Sequence, residues 1–117
     1  MPVVSDYTVI QRNVVRVTPA NPLTKTFNTG GRRGSGDVFM TFSIRSLGEP
    51  NDVPVQVNNL TIGRLENYHG MDARNWFTQT IVFSASVLRN GDNNLEIEVN
   101  TGDLILDNII VHFQQSA

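Results

Sequence analysis

Between Glu66 and Phe77 the chain reads ENYHGMDARNWF, a stretch in which Asn67, Tyr68, His69, Asp72, Arg74, Asn75 and Trp76 bring rings together with planar, multivalent polar groups. A sugar site needs that mixture: an aromatic ring to cover the C–H face of a pyranose, and amide or guanidinium groups to hydrogen-bond its hydroxyls. Tyr68, Trp76, Arg74 and Asn67 supply both kinds, with His69 among them, so this segment is the first candidate for ligand binding. The competing reading is structural. Large aromatics are mostly buried, and Trp76, the only tryptophan, would then anchor a strand in the core while Tyr68 closes an edge of the fold. Catalysis has less behind it, because general acid–base chemistry needs a second positioned group, and His69 and Asp72 are neighbours only in sequence.

Other chemistry-bearing residues point less far. Asn28 to Asp37, NTGGRRGSGD, offers backbone amides and the adjacent Arg32 and Arg33, an arrangement suited to an anion such as phosphate, sulfate or an acidic sugar. The order of a nucleotide-binding loop is missing and no helical pattern follows, so a nucleotide is not expected. Asp37, Asp103, Asp107 and Asn108 supply hard oxygens for a structural calcium ion, but no loop has the dense alternation of a self-contained calcium site. With two histidines and no cysteine, a transition-metal site is not expected. Glu96 and Glu98 share one strand face without the spatial separation that a glycosidase pair would have to show. Asn59-Leu60-Thr61 satisfies a glycosylation sequon, whose chemistry matters only in a eukaryotic secretory compartment.

The elements that would hold these residues are strands. Period-two alternation broken by turn residues predicts strands near Thr8–Val17, Leu23–Phe27, Val38–Arg45, Val53–Val57, Leu60–Leu65, Phe77–Phe83, Leu95–Asn100 and Ile105–Phe113, about eight in all. Phe42, Val55, Val57, Leu95, Ile97 and Val99 are expected to point inward. Pro54, lacking an N–H, implies either an edge strand or a ladder position that needs no donor. Asn58-Asn59 is expected to turn one strand back into the next. In the last strand Ile105, Asp107, Ile109, Val111 and Phe113 fall on one parity and Leu104, Leu106 and Ile110 on the other, which reads as a central strand with apolar residues on both faces. Only Ser84–Arg89 allows a turn of helix, capped by Ser84 or Ser86. Strands without βαβ alternation predict an all-β, antiparallel two-sheet β-sandwich spanning residues 1–117 as a single domain, a jelly roll ahead of an immunoglobulin-like arrangement.

Composition bounds the partners. The 117 residues carry 9 basic and 11 acidic side chains, a formal net charge of -2, which gives little long-range attraction to nucleic acid or an anionic membrane. No window is apolar enough for a membrane span, and the start, MPVVSDYT, has no signal-peptide pattern, so synthesis in the cytoplasm is expected, with export by another route or within a particle left open. Weak charge repulsion and an apolar-rich last strand make a homo-oligomer or a larger protein complex the alternative partner class.

From Val55 to Phe113 the chain resembles the galactose-binding-like jelly rolls, which include many carbohydrate-binding modules. The residues that carry the resemblance are VQVNNLTIGRL, with Asn59 where glycine is usual and Gly63 before the next strand; LRNGDNNLEIEV, through Leu88, Gly91, Asn94, Leu95 and Ile97; and the closing LILDNIIVHF. The resemblance implies a non-catalytic, lectin-like carbohydrate-binding module. It carries over no ligand residue, since that family's sites lie on variable loops or a variable concave face.

Overall fold

Val38, Met40, Phe42 and Ile44 alternate with Phe39, Thr41, Ser43 and Arg45, and this alternation recurs in the strands that build the core, where every second residue is sealed between two sheets. The structure, a computed structural model, describes residues 3–30, 36–46, 53–65, 76–100 and 104–116. Among them run β1 (Val3–Gln11), β2 (Val15–Val17), β3 (Leu23–Asn28), β4 (Asp37–Ser46), β5 (Val53–Val57), β6 (Leu60–Leu65), β7 (Phe77–Ser84), β8 (Asp92–Ile97) and β9 (Leu104–Ser116). One sheet has the order β1-β9-β4-β7 with β2 also on β9, the other β3-β8-β5-β6, and every pairing is antiparallel. The fold is the expected all-β two-sheet sandwich, consistent with a jelly roll. Phe42, Val55, Val57, Leu95, Ile97 and Val99 are all buried in its core.

The long strand expected over Thr8–Val17 is two. β1 pairs with the second half of β9 and β2 with its first half, while the chain between them swings out and leaves Val14 exposed. β9 is central, as expected, but its mixed parity has another cause than two apolar faces. Leu104 and Leu106 are buried, then Ile109, Val111 and Phe113. The phase changes at Asn108, which has φ 47°, where the register against β4 jumps between Thr41 and Ser43. A bulge inserts one residue and returns the apolar set to the same face. With β4 on one side and β1 and β2 on the other, β9 offers no free edge along these pairings for self-association.

Local chemistry explains the second sheet. Asn58 and Asn59 both take positive φ, 52° and 68°, the requirement of a tight I′ hairpin turn between β5 and β6. Further along β6, Ile62 is the extra residue of a bulge, since Val55 faces Gly63 and Gln56 faces Thr61. A Cβ on Gly63 would lie 2.9 Å from Ile81 Cγ2 of the opposing sheet, so glycine is what lets the sheets close here. Pro54 sits in an interior strand, yet the β8 ladder ends where Val55 faces Ile97, and beyond it the Pro54 carbonyl only accepts, from Glu98 N at 3.5 Å. The ladder position needing no donor is therefore the correct alternative. The single-turn helix is a 3-10 turn, Ala85–Val87, with Ser84 as its cap accepting from Ser86 N.

In the RNGDNN turn the asparagine that holds the fold is Asn93, with Asn94 exposed, so the motif match assigned to Asn94 shifts by one residue. Asn93 is 0% exposed. Its Oδ1 accepts from Arg89 N (2.7 Å) and Asn58 Nδ2 (2.8 Å), and its Nδ2 donates to the carbonyls of Arg89 and Gly91 (3.1 Å each) and to Thr29 Oγ1 (3.3 Å). Asn58 Nδ2 also donates to Val87 O and its Oδ1 accepts from Asn94 N. Three loops distant in sequence are thereby tied together by a buried polar network whose groups have partners, the condition under which such groups are tolerated.

Candidate functional site

The residues that alternation turns outward on the five-stranded sheet include an unusual set. Phe39 lies on the polar parity of β4, Tyr7 on β1, His112 on β9 and Val82 on β7, and the registers place Tyr7 opposite His112, His112 opposite Phe39, and Phe39 opposite Val82. The Phe39 and His112 rings stack with centroids 4.5 Å apart at 13°, and Tyr7 stands 6.3 Å from His112, tilted by 35°. Such cross-strand ring pairs stabilise the sheet by about 0.5–1.5 kcal/mol beyond their burial. Tyr7 is nevertheless 63% exposed, Phe39 43% and Val82 60%.

Beside this row is a depression of ≈ 140 Å³ lined by Ser5, Asp37, Phe39, His112 and Gln114, together with Asp6 and Phe113. Ser5 is opposite Gln114 in the register, and Asp37 opens β4 two residues before Phe39. The Asp6 carboxylate is engaged, accepting from Tyr7 N and from Gln115 Nε2, both at 2.7 Å. The depression thus brings the stacked Phe39 and His112 rings together with hydroxyl, amide and carboxylate groups.

Of the residues expected to bind ligand, Trp76 is the one whose placement is described. It immediately precedes β7 and is 38% exposed, which removes the reading in which it is sealed in the core. Asn67, Tyr68, His69 and Arg74 lie outside the described residues, as do Arg32 and Arg33 of the anion candidate and Asp103 of the calcium candidate. Asp37 and Asp107 do not share a site: Asp107 faces Ser43, six residues along β4 from Asp37, or roughly 20 Å at the rise of a strand. Asp107 Oδ1 is buried without a hydrogen-bond partner, and among the described residues no group of three or more histidine, aspartate or glutamate side chains is placed to hold a metal.

Glu96 faces outward on β8, and Glu98 follows on the same parity just past the end of the strand. A hydrogen bond that the protonated Glu96 carboxyl donates to Glu98 raises it above its ordinary value, helped by slight burial and the neighbouring charge. The Tyr7, Phe39 and His112 row escaped the sequence reading because its members come from three separated strands. The signal for it was present in one place: Phe39 is an aromatic on the polar parity of an otherwise regular strand.

No protein-family model matches the chain, and no curated protein matches it by sequence. Solved structures do match its fold. A β-porphyranase of glycoside hydrolase family 86 from the human gut bacterium Bacteroides plebeius superposes with a TM-score of 0.71 at 21% identity, over 97% of this chain and 21% of that one. A family 35 carbohydrate binding module from Clostridium thermocellum superposes with a TM-score of 0.60 at 13% identity, over 91% of this chain and 97% of the module. The fold is a carbohydrate-binding-module-like jelly roll. It resembles the fold of family 35 carbohydrate binding modules, and the matches do not single out the narrower galactose-binding-like group. Dimeric latent PorU from Porphyromonas gingivalis also contains it, with a TM-score of 0.70 at 16% identity over 99% of this chain and 13% of PorU. The chain thus spans about a fifth or less of the two larger proteins and nearly the full length of the isolated module.

Proposed function

We propose that this jelly roll is a non-catalytic carbohydrate-binding module whose Glu66–Trp76 loop contacts a glycan. The observation that carries the reading is Trp76, the only tryptophan, standing 38% exposed at the head of β7 on a scaffold that matches a whole carbohydrate binding module. A large ring left in water at a strand entrance suits stacking on a pyranose, and Asn67, His69 and Arg74 beside Tyr68 bring hydrogen-bonding groups to the same loop. Binding of this kind leans on a few anchors.

A glycan array on the purified chain, followed by calorimetric titration of the hits against Tyr68→Ala, tests the proposal. Tyr68→Ala is expected to weaken binding with an unchanged circular dichroism spectrum. No array hit defeats the proposal, and an unchanged affinity in the folded variant removes Tyr68 from the site. The assembly alternative predicts instead a sedimentation coefficient that rises with concentration in the absence of any glycan.

A further inference from the structure

We infer that the edge of β7 is a self-association site, at which residues 80–84 of one copy pair antiparallel with the same residues of a second copy about a two-fold axis at Val82. This contact is independent of the glycan reading, since a joint along a sheet edge neither needs nor excludes a sugar at the loop. β7 is bonded on one side to β4, and among the described residues no strand pairs with its other side. Such an edge offers the amide and carbonyl of every second residue to another strand. The remaining edges are guarded. β3 carries Lys25 in its middle, β6 has the Ile62 bulge and Arg64, β1 shifts register between Val9 and Gln11, and β2 is only three residues long. Short strands, bulges and charged side chains are the devices that keep sheet edges from pairing. β7, which reads FTQTIVFS, has no charge, no proline and an unbroken register against β4 from Phe77 to Ser84.

The side chains of this segment select a second copy as the occupant. With the axis at Val82, Val82 meets Val82, Ile81 meets Phe83 and Thr80 meets Ser84. These are an apolar pair, an aromatic–β-branched pair and a hydroxyl pair, all of them favourable neighbours across an antiparallel ladder. No like charges come together, and a charged peptide from another protein finds no counter-charge on β7. The pairing keeps each side chain on the face it already occupies: Ile81 and Phe83, buried in the single chain, extend the two cores toward each other, while Val82, 60% exposed, is covered by its own copy. Five residues make a joint about 17 Å long. That is far less contact than the about 800 Å² per partner of a standard stable interface, so the dimer is weak and depends on concentration.

The test is sedimentation equilibrium of the intact chain from micromolar to millimolar concentration without glycan, joined to crosslinking of single-cysteine variants. The average mass is expected to rise toward that of a dimer. Val82→Lys sets like charges opposite each other at the axis and should weaken association at least tenfold with an unchanged circular dichroism spectrum, whereas Val14→Lys, equally exposed away from β7, should not. Because the chain has no cysteine of its own, one introduced cysteine can bridge only between copies. Val82→Cys is expected to crosslink under mild oxidation, since paired Cα atoms of an antiparallel ladder lie within disulfide reach, while Thr80→Cys, whose two copies stand roughly 13 Å apart in this register, should not. A monomer at every concentration overturns the self-association and leaves the edge to a strand of another protein. A dimer that Val82→Lys leaves intact overturns the choice of β7, and equal crosslinking at positions 80 and 82 overturns the register. The glycan array is read separately, so its failure leaves this contact standing and the failure of this contact leaves the array result standing.

Discussion

Two rows of four residues cross the two sheets on their outer sides, and they have opposite characters. Tyr7, His112, Phe39 and Val82 cross the five-stranded sheet; Thr24, Glu96, Gln56 and Thr61 cross the four-stranded one at matching registers. The second row is what a solvated sheet face requires, with short polar and charged groups that water satisfies. The first leaves rings in water, which burial would otherwise remove at a gain of about 25 cal/mol per Å². Both rows stand on the same core with the same alternation, so the difference between them lies in the side chains and not in the backbone pattern.

The comparison can be broken most severely through the shared core. Leu95 lies beneath the polar row, fully buried beside Val57, and Leu95→Ala is expected to cost about 2–5 kcal/mol in chemical denaturation, through lost transfer energy and the cavity left behind. A near-zero loss would mean that the inward face of β8 has been misassigned, and the outward row with it. Next in size is Asn93→Ala, expected to cost about 2–3 kcal/mol because Arg89 N, the Arg89 and Gly91 carbonyls and Asn58 Nδ2 lose their shared partner together. Hydrogen exchange should show the loss concentrated at the Thr29, Asn58 and Arg89 loops, with both rows intact.

A direct contrast comes from the polar row. Thr24→Ala combined with Gln56→Ala is expected to change stability by less than about 0.5 kcal/mol per site in chemical denaturation, less than Phe39→Ala, which removes the ring stacked on His112. A larger loss in this double variant than in Phe39→Ala would erase the distinction between the faces. The smallest effect concerns Glu98→Gln. Since Glu96 holds its proton more tightly in the fold, its contribution to stability is full below the ordinary glutamate value and fades as pH rises through the raised one. Removing the Glu98 carboxyl should flatten that segment of the stability profile and return Glu96 toward its ordinary titration, read by carboxyl NMR. An unchanged Glu96 titration would show that the two carboxyls do not interact.

The sequence by itself determined most of the strands, the inward residues of β4, β5 and β8, the Asn58-Asn59 turn and the Ser84 cap, because each depends on local alternation or local turn chemistry. The same local rules failed where one residue breaks the count. The bulge at Asn108 moves the buried set of β9 from even to odd positions, and nothing within a few residues of Asn108 announces that it will sit opposite a register jump in β4. Asn93 was legible as a turn residue but not as the centre of a network, since its partners Asn58 and Thr29 are 35 and 64 positions away. The ring row is the plainest case. Phe39 could be seen facing outward from its own strand, but that Tyr7 and His112 stand beside it was decided only when β9 paired with β1 on one side and β4 on the other, because cross-strand neighbours are set by register, a property of the assembled sheet.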